Sequence, residues 1–459
     1  MAAKISRSLG ALLLAGIPIV ASSQTAIPRA IPATRSRTSA PTVHRVTTIE
    51  NNQSCDIGTY PAATLLLPYF EVEVGKPVNL AANTLFTVVN TSRAPQVTRV
   101  TIWTDYGYPT LWFNVFLTGY DAQSFSMYDI LTTGFTPRTS ATSPAGSRSL
   151  ATNSLLMGLD TCENLGGDLS PELIADVKAM LTTGRASTAA MNGCAVGSEH
   201  PSLAVGYVTV DVVNGCSTIS PLDSAYYSQV LLFDNVLTGD YDRLNPDPEV
   251  GNYAGGNPLV HIKAVPEGGK AGSTVLPGNS LPYTFYDRFT PQTARRIDRR
   301  QPLPAAFAAR FIEGGTANFS TDYAIWREGI SHLSAGGCNV AASAAMPYGS
   351  IVRFDEMENP TVAVAAKTGA SGLSFPVTSA VSTGHSPFPP QVSNTVAGWM
   401  YLNLDNAAGA TASSASPYSV ARPSQNWVIV HLRAEGRYAV DYDATTISNG
   451  CTFSQAEAK

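Results

Sequence analysis

The stretch Leu111-Trp-Phe-Asn-Val-Phe-Leu-Thr118 sets Leu111, Phe113, Val115 and Leu117 against Trp112, Asn114, Phe116 and Thr118. A period of two places the first set on one face of a strand and the second on the other. The rhythm recurs on both sides. Upstream, Ala63 to Val74 is apolar and then alternates, with Phe70, Val72 and Val74 against Glu71 and Glu73. Thr84 to Val89 and Val97 to Thr104 follow, separated by the turn Asn90-Thr-Ser-Arg-Ala-Pro95. Downstream, Val208, Val210 and Val212 alternate with Tyr207, Thr209 and Asp211. Trp399 to Leu404, Trp427 to Arg433 and Tyr438 to Tyr442 behave the same way. Short alternating runs punctuated by Gly, Pro, Asn and Asp predict antiparallel, sandwich-type sheets. One face of each run is apolar and the other polar, which antiparallel sheets permit. Leu303 to Glu313 fits either period and is read as strand.

One helix interrupts the strands. Ser170 suits its cap and Pro171 its first turn, and Leu173, Val177, Met180 and Leu181 form a stripe that ends at Gly184. It lies between Cys162 and Cys194, which predicts a short disulfide-flanked helical insertion in a β scaffold. The fold class is therefore mainly β, as one large or two related β domains. Val88-Val89-Asn90 and Phe113 to Gly119 echo Val212-Val213-Asn214 and Phe233 to Gly239, a weak internal repeat that a duplicated β unit would explain.

The two ends carry other signals. Lys4 and Arg7 precede an apolar run from Leu9 to Ala21, and the small residues Ala21, Ser22 and Ser23 stand before Gln24. That is the pattern of a secretory signal peptide. No later stretch approaches the roughly 20 apolar residues that span a bilayer as a helix. Residues 24–50 are rich in Pro, Ser, Thr and Arg and read as a flexible arm. The expected organisation is thus 1–23 signal peptide, 24–50 arm, 51–155 first β domain, 156–200 helical insertion and 201–459 second β region. With 37 Gly, 31 Pro and only 14% charged residues among 459, the chain is neither a disordered polymer nor a helical bundle.

Six cysteines, Cys55, Cys162, Cys194, Cys216, Cys338 and Cys451, form an even set in a chain marked for export, so disulfides are expected. Cys162 with Cys194, and Cys55 with Cys451, are the pairings their positions suggest, out of the 15 that six cysteines allow. The net charge of −5 disfavours nucleic acid as a partner. The one basic cluster, Arg295, Arg296, Arg299 and Arg300 around Asp298, reads as a solvated turn with local ion pairs; its alternative is a grip on phosphate or an acidic sugar.

Signals of catalysis are missing. The histidines His44, His200, His261, His332, His385 and His431 are widely spaced and form no HxH or HExxH pair. There is no GxSxG elbow and no phosphate-binding glycine loop. Acidic residues offer more. Asp240, Asp242, Asn245, Asp247 and Glu249 crowd ten positions, and such a loop could supply the oxygen ligands that calcium needs, although the spacing is not that of an EF-hand. Asp355, Glu356 and Glu358 are a lesser cluster. Tyr106, Tyr108 and Trp112 lie at and just after a turn between two strands, where flat rings can stack on a sugar.

The segments Gly398-Trp-Met-Tyr-Leu-Asn-Leu404, Asn426-Trp-Val-Ile-Val430 and Glu435-Gly-Arg-Tyr-Ala-Val-Asp441 resemble stretches of uncharacterised exported bacterial proteins, as do Leu65 to Val72 and Ile102-Trp-Thr-Asp105. The resemblance implies a bacterial source and carries no activity. The favoured expectation is a secreted or periplasmic protein with a structural or binding role, needing no cofactor, its partner a carbohydrate or another surface protein. The alternatives are a secreted polysaccharide hydrolase using paired carboxylates and a calcium-stabilised surface module.

Overall fold

The computed structural model describes residues 57–137, 167–186, 195–217, 219–247, 253–269, 284–286, 298–327, 350–362, 378–382, 388, 396–404, 425–434 and 438–448. All fall within one unit of the chain, Val43–Lys459. The expected signal peptide (1–23) and arm (24–50), with the residues up to 56, lie outside the described residues.

In chain order the first strands are β1 (Thr64–Glu73), β2 (Asn83–Asn90), β3 (Gln96–Thr104), β4 (Pro109–Leu117), β5 (Ala122–Ser126), β6 (Phe135–Thr136) and β7 (Gly167–Asp168). Next come β8 (Leu203–Val213), β9 (Leu237–Asn245), β10 (Tyr253–Pro258), β11 (Val260–Ile262), β12 (Ala306–Ile312) and β13 (Phe319–Arg327). The last are β14 (Ser350–Asp355), β15 (Pro360–Val362), β16 (Thr378–Ser382), β17 (Ala397–Asn403), β18 (Asn426–Ala434), β19 (Tyr438–Asp443) and β20 (Thr445–Ser448). Among the described residues four larger sheets result, sheet I in the order β11-β1-β8-β3-β4, sheet II β10-β9-β2-β5, sheet III β15-β14-β17-β12-β20 and sheet IV β16-β13-β18-β19, and β6 pairs with β7 in a small fifth one. Their pairings are antiparallel, as the alternation predicted. The ambiguous segment after Leu303 forms β12, a strand. Strand pairing runs straight across residue 200. β8 lies between β1 and β3, so the β regions that the sequence suggested on either side of the helix share sheets.

Sheet I is the centre. Leu65, Val210, Val100 and Phe113 lie side by side on one face of it. This face packs on sheet II, where Phe125 meets Phe113 at 6.1 Å and stacks on Phe86 at 4.5 Å. The opposite face, polar as the alternation predicted, is covered as well. Thr64, Asp211, Arg99 and Asn114 form a cross-strand row on that face, and all four are buried. Tyr226 and Tyr227 from the π-helical turn Tyr226–Val230, Tyr286, and Trp326 of sheet IV cover it. Sheet IV in turn faces sheet III, where the Tyr323 hydroxyl donates to the Arg310 carbonyl at 2.9 Å. The echoing segments of the weak repeat fall on different sheets: Val88–Asn90 ends β2 of sheet II, while Val212 belongs to β8 of sheet I.

Among the described residues two α-helices sit beside the strands. The predicted one is α2 (Pro171–Thr182): Ser170 caps it by accepting from the Leu173 N–H, and Leu173, Val177, Met180 and Leu181 are its buried stripe. Gly184, at φ +66°, ends it, in a conformation that costs glycine nothing. Cys162 and Cys194 lie outside the described residues. The sequence reading missed α1 (Met127–Thr132), which Ser126 caps through the Asp129 N–H. Serine with an acid three positions on was the signal. Among the described residues no helix is long and apolar enough to cross a membrane.

Candidate binding surface

The expected calcium loop is mostly a strand. Asp240, Asp242 and Asn245 belong to β9, whose period of two turns Asp240 and Asp242 outward while Tyr241, Arg243 and Asn245 are buried. Asn245 is used locally, its Oδ1 accepting from the Asp247 N–H at 3.1 Å, and Asp247 pairs with Lys76 at 2.7 Å. Glu249 lies outside the described residues. A strand spreads its side chains along and across its axis, whereas a calcium site needs them wrapped around one point. Among the described residues no three of His, Cys, Asp and Glu gather as a metal site.

The expected aromatic tip also resolves differently. Tyr108 and Trp112 are buried and Tyr106 is half-buried against the core. Trp112 stands opposite Thr101 on the covered face of sheet I. The hydrophobic pull on large rings outweighed their display at a turn. Cys216 is disulfide-bonded, and Cys55, Cys162, Cys194, Cys338 and Cys451 lie outside the described residues.

The basic cluster is not a solvated turn. Arg295 and Arg296 are outside the described residues, but Arg299 and Arg300 are buried. Arg300 contacts Asp298 at 3.1 Å, reaches the Leu232 carbonyl at 3.0 Å and approaches Asp211 at 3.8 Å. Asp211 also accepts the hydroxyls of Thr64 at 2.5 Å, Tyr226 at 2.7 Å and Tyr286 at 3.0 Å. Burial raises the Asp211 carboxyl, and Arg300 and the hydroxyl donors oppose that rise. Burial, then the Asp211 charge, push the Tyr226 and Tyr286 hydroxyls well above their ordinary value, which keeps both as donors. Such a closed set of partners is what a buried charge requires to persist. A second chain joins Glu71 to Arg243 at 2.9 Å and Arg243 to Asp441 at 3.6 Å, and ends on His431, whose Nδ1 contacts the same carboxylate. The charged groups of these two chains are thus engaged with one another.

The outer face of sheet III differs. Its inner residues, Ile351, Leu402 and Phe307 in one row and Arg353, Met400 and Ala309 in the next, are buried. The residues between them point away from sheet IV. Pro360, Phe354, Trp399 and Arg310 form one outer row, and Val362, Val352, Tyr401 and Ala308 the next. Phe354 and Trp399 stack at 4.1 Å with planes 9° apart. Val362 is 58% exposed and Met357, at the β14–β15 turn, 80%. Asp355 fixes that turn: its carboxylate accepts the N–H groups of Met357 and Asn359 at 2.9 and 2.8 Å. The Asn359 amide, followed by the backbone donors, holds the Asp355 carboxyl below its ordinary range. Arg310 is the only charged residue in the two rows. Alternation of Trp399 and Tyr401 with Met400 and Leu402 is visible in the sequence. That the outward set is aromatic was the overlooked signal.

No protein-family model, no curated protein and no solved structure matches the chain.

Proposed function

We propose that the protein works outside the cytoplasm as a binding protein that docks another exported protein on the outer face of sheet III. The carrying observation is the pair of outer rows, with the stacked Phe354 and Trp399 beside Tyr401, Val362 and Arg310. Trp, Tyr, Met and Arg are the residues that concentrate binding energy at protein interfaces. A sugar is the poorer fit. Carbohydrate stacking uses open ring faces, and here Phe354 and Trp399 spend a face each on one another. The basic n-region, apolar run and small residues at the start of the chain support export, and the disulfide at Cys216 suits an oxidising compartment.

The test is capture from the exported protein fraction by the immobilised protein, compared with Trp399→Ala and Arg310→Glu variants of unchanged circular dichroism. Removing one anchor of this kind costs at least about 2 kcal/mol, or roughly 30-fold in affinity. Retention of the native protein, lost in both variants, is expected. Equal capture by all three, or retention on insoluble polysaccharide that the variants leave intact, contradicts the reading.

A further inference from the structure

Sheets II and IV meet where β10 passes β19, and the approach is close because β10 carries glycine there. A Cβ on Gly255 would stand 2.8 Å from Cγ and 3.0 Å from N of Asp441. The charge chain crosses the same joint, from Glu71 of β1 through Arg243 of β9 to Asp441 of β19 and His431 of β18. Asp443 lies two residues beyond Asp441, on the same face of β19, and accepts the Trp427 indole N–H at 2.9 Å. The groups turned to this joint are Asp441, His431 and Arg433, Asp322 of β13, and Tyr241 and Arg243 of β9; Asp240 and Asp242, on the outward side of β9, act on it through their charge alone. Glu71 and Tyr69 of β1 complete the set.

We propose that this joint is a proton-operated latch, closed while Asp443 carries its proton and loosened when that carboxyl ionises beside Asp441. The geometry makes ionisation costly. Asp441 already contacts Arg243 and His431, so among the described residues a further negative charge finds only the Trp427 dipole. Burial pushes the Asp443 carboxyl from 3.8 up to about 6; the Trp427 N–H opposes this and Asp441 adds to it. Burial, Asp240 and Asp441 raise Asp242 in the same way. Because the closed joint holds the proton more tightly than the open one, closure is favoured in mild acid and is lost as pH rises through about 6.

Hydrogen exchange tests the latch. Amide protection in β10 and β19 is measured near pH 5 and near pH 7.5, corrected for intrinsic exchange, with β3 and β8 as the internal reference. Protection of β10 and β19 should fall about tenfold at the higher pH while the reference holds. Asp443→Asn should keep both strands protected at either pH. Trp427→Phe removes the opposing donor and should move the transition to higher pH. A fall of the same size in Asp443→Asn, or no selective fall in the native protein, overturns the proposal. If Asp443→Asn does not fold, an unchanged transition in Trp427→Phe overturns it instead.

Discussion

Tyr226 donates its hydroxyl to Asp211 at 2.7 Å on the covered face of sheet I. Tyr286 donates to the same carboxylate at 3.0 Å, and Arg300 lies beside it. Asp211→Ala would leave Arg300 with one carboxylate fewer in the core and is expected to cost about 3–5 kcal/mol. Tyr226→Phe should cost about 1–2 kcal/mol, since it removes one hydrogen bond and leaves the charge pair. Urea unfolding of the single and double variants should show strong non-additivity. Additive losses would mean that the two residues act independently.

Gly255 sets how closely sheets II and IV approach. Gly255→Ala brings a methyl to 2.8 Å from the Asp441 carboxyl carbon and should destabilise by about 1–3 kcal/mol through overpacking. Gly215, whose Cβ would meet nothing within 4 Å, is the control. Gly215→Ala should leave the thermal midpoint nearly unchanged.

Glu267 sets a pH dependence. Burial raises its carboxyl from 4.5 to about 7, opposed by the Asn235 N–H, which it accepts at 3.1 Å. The folded chain therefore binds this proton more tightly than the unfolded chain. Stability gained from it is full below about 4.5 and disappears as pH rises through about 7. Thermal midpoints should fall between these limits on going up in pH, and Glu267→Gln should flatten that part of the curve.

Ser170 caps α2 through the Leu173 N–H. Ser170→Ala should cost about 1 kcal/mol, measurable by chemical denaturation, while Ser170→Asp should cost almost nothing.

Alternation located the strands because a sheet converts a period of two directly into faces, and the cap and stripe located α2. The sequence could not show that sheet I is covered on both sides. Thr64, Arg99, Asp211 and Asn114 look solvent-facing by type, and the partners that bury them are remote in the chain. Thr64 and Asp211 alone are 147 positions apart. For the same reason Arg300 read as a surface residue, although it is a pillar of the interior. Crowded carboxylates from Asp240 to Asp247 suggested a cation loop because composition ignores backbone shape, and an extended β9 separates them. Trp399 and Tyr401 were legible as one face of a strand. Their neighbours across that face, Phe354 and Arg310, come from strands whose register no local pattern reveals.

The most direct measurement uses a photo-reactive amino acid in place of Val362, on the outer face of sheet III, with Ser124, exposed on β5 of sheet II, as the comparison site. Irradiation in the living source cell should give a discrete protein adduct from position 362, none from 124, and none from 362 when Trp399 is also changed to Ala. No adduct from 362, or one that survives loss of Trp399, would contradict a binding role for this face.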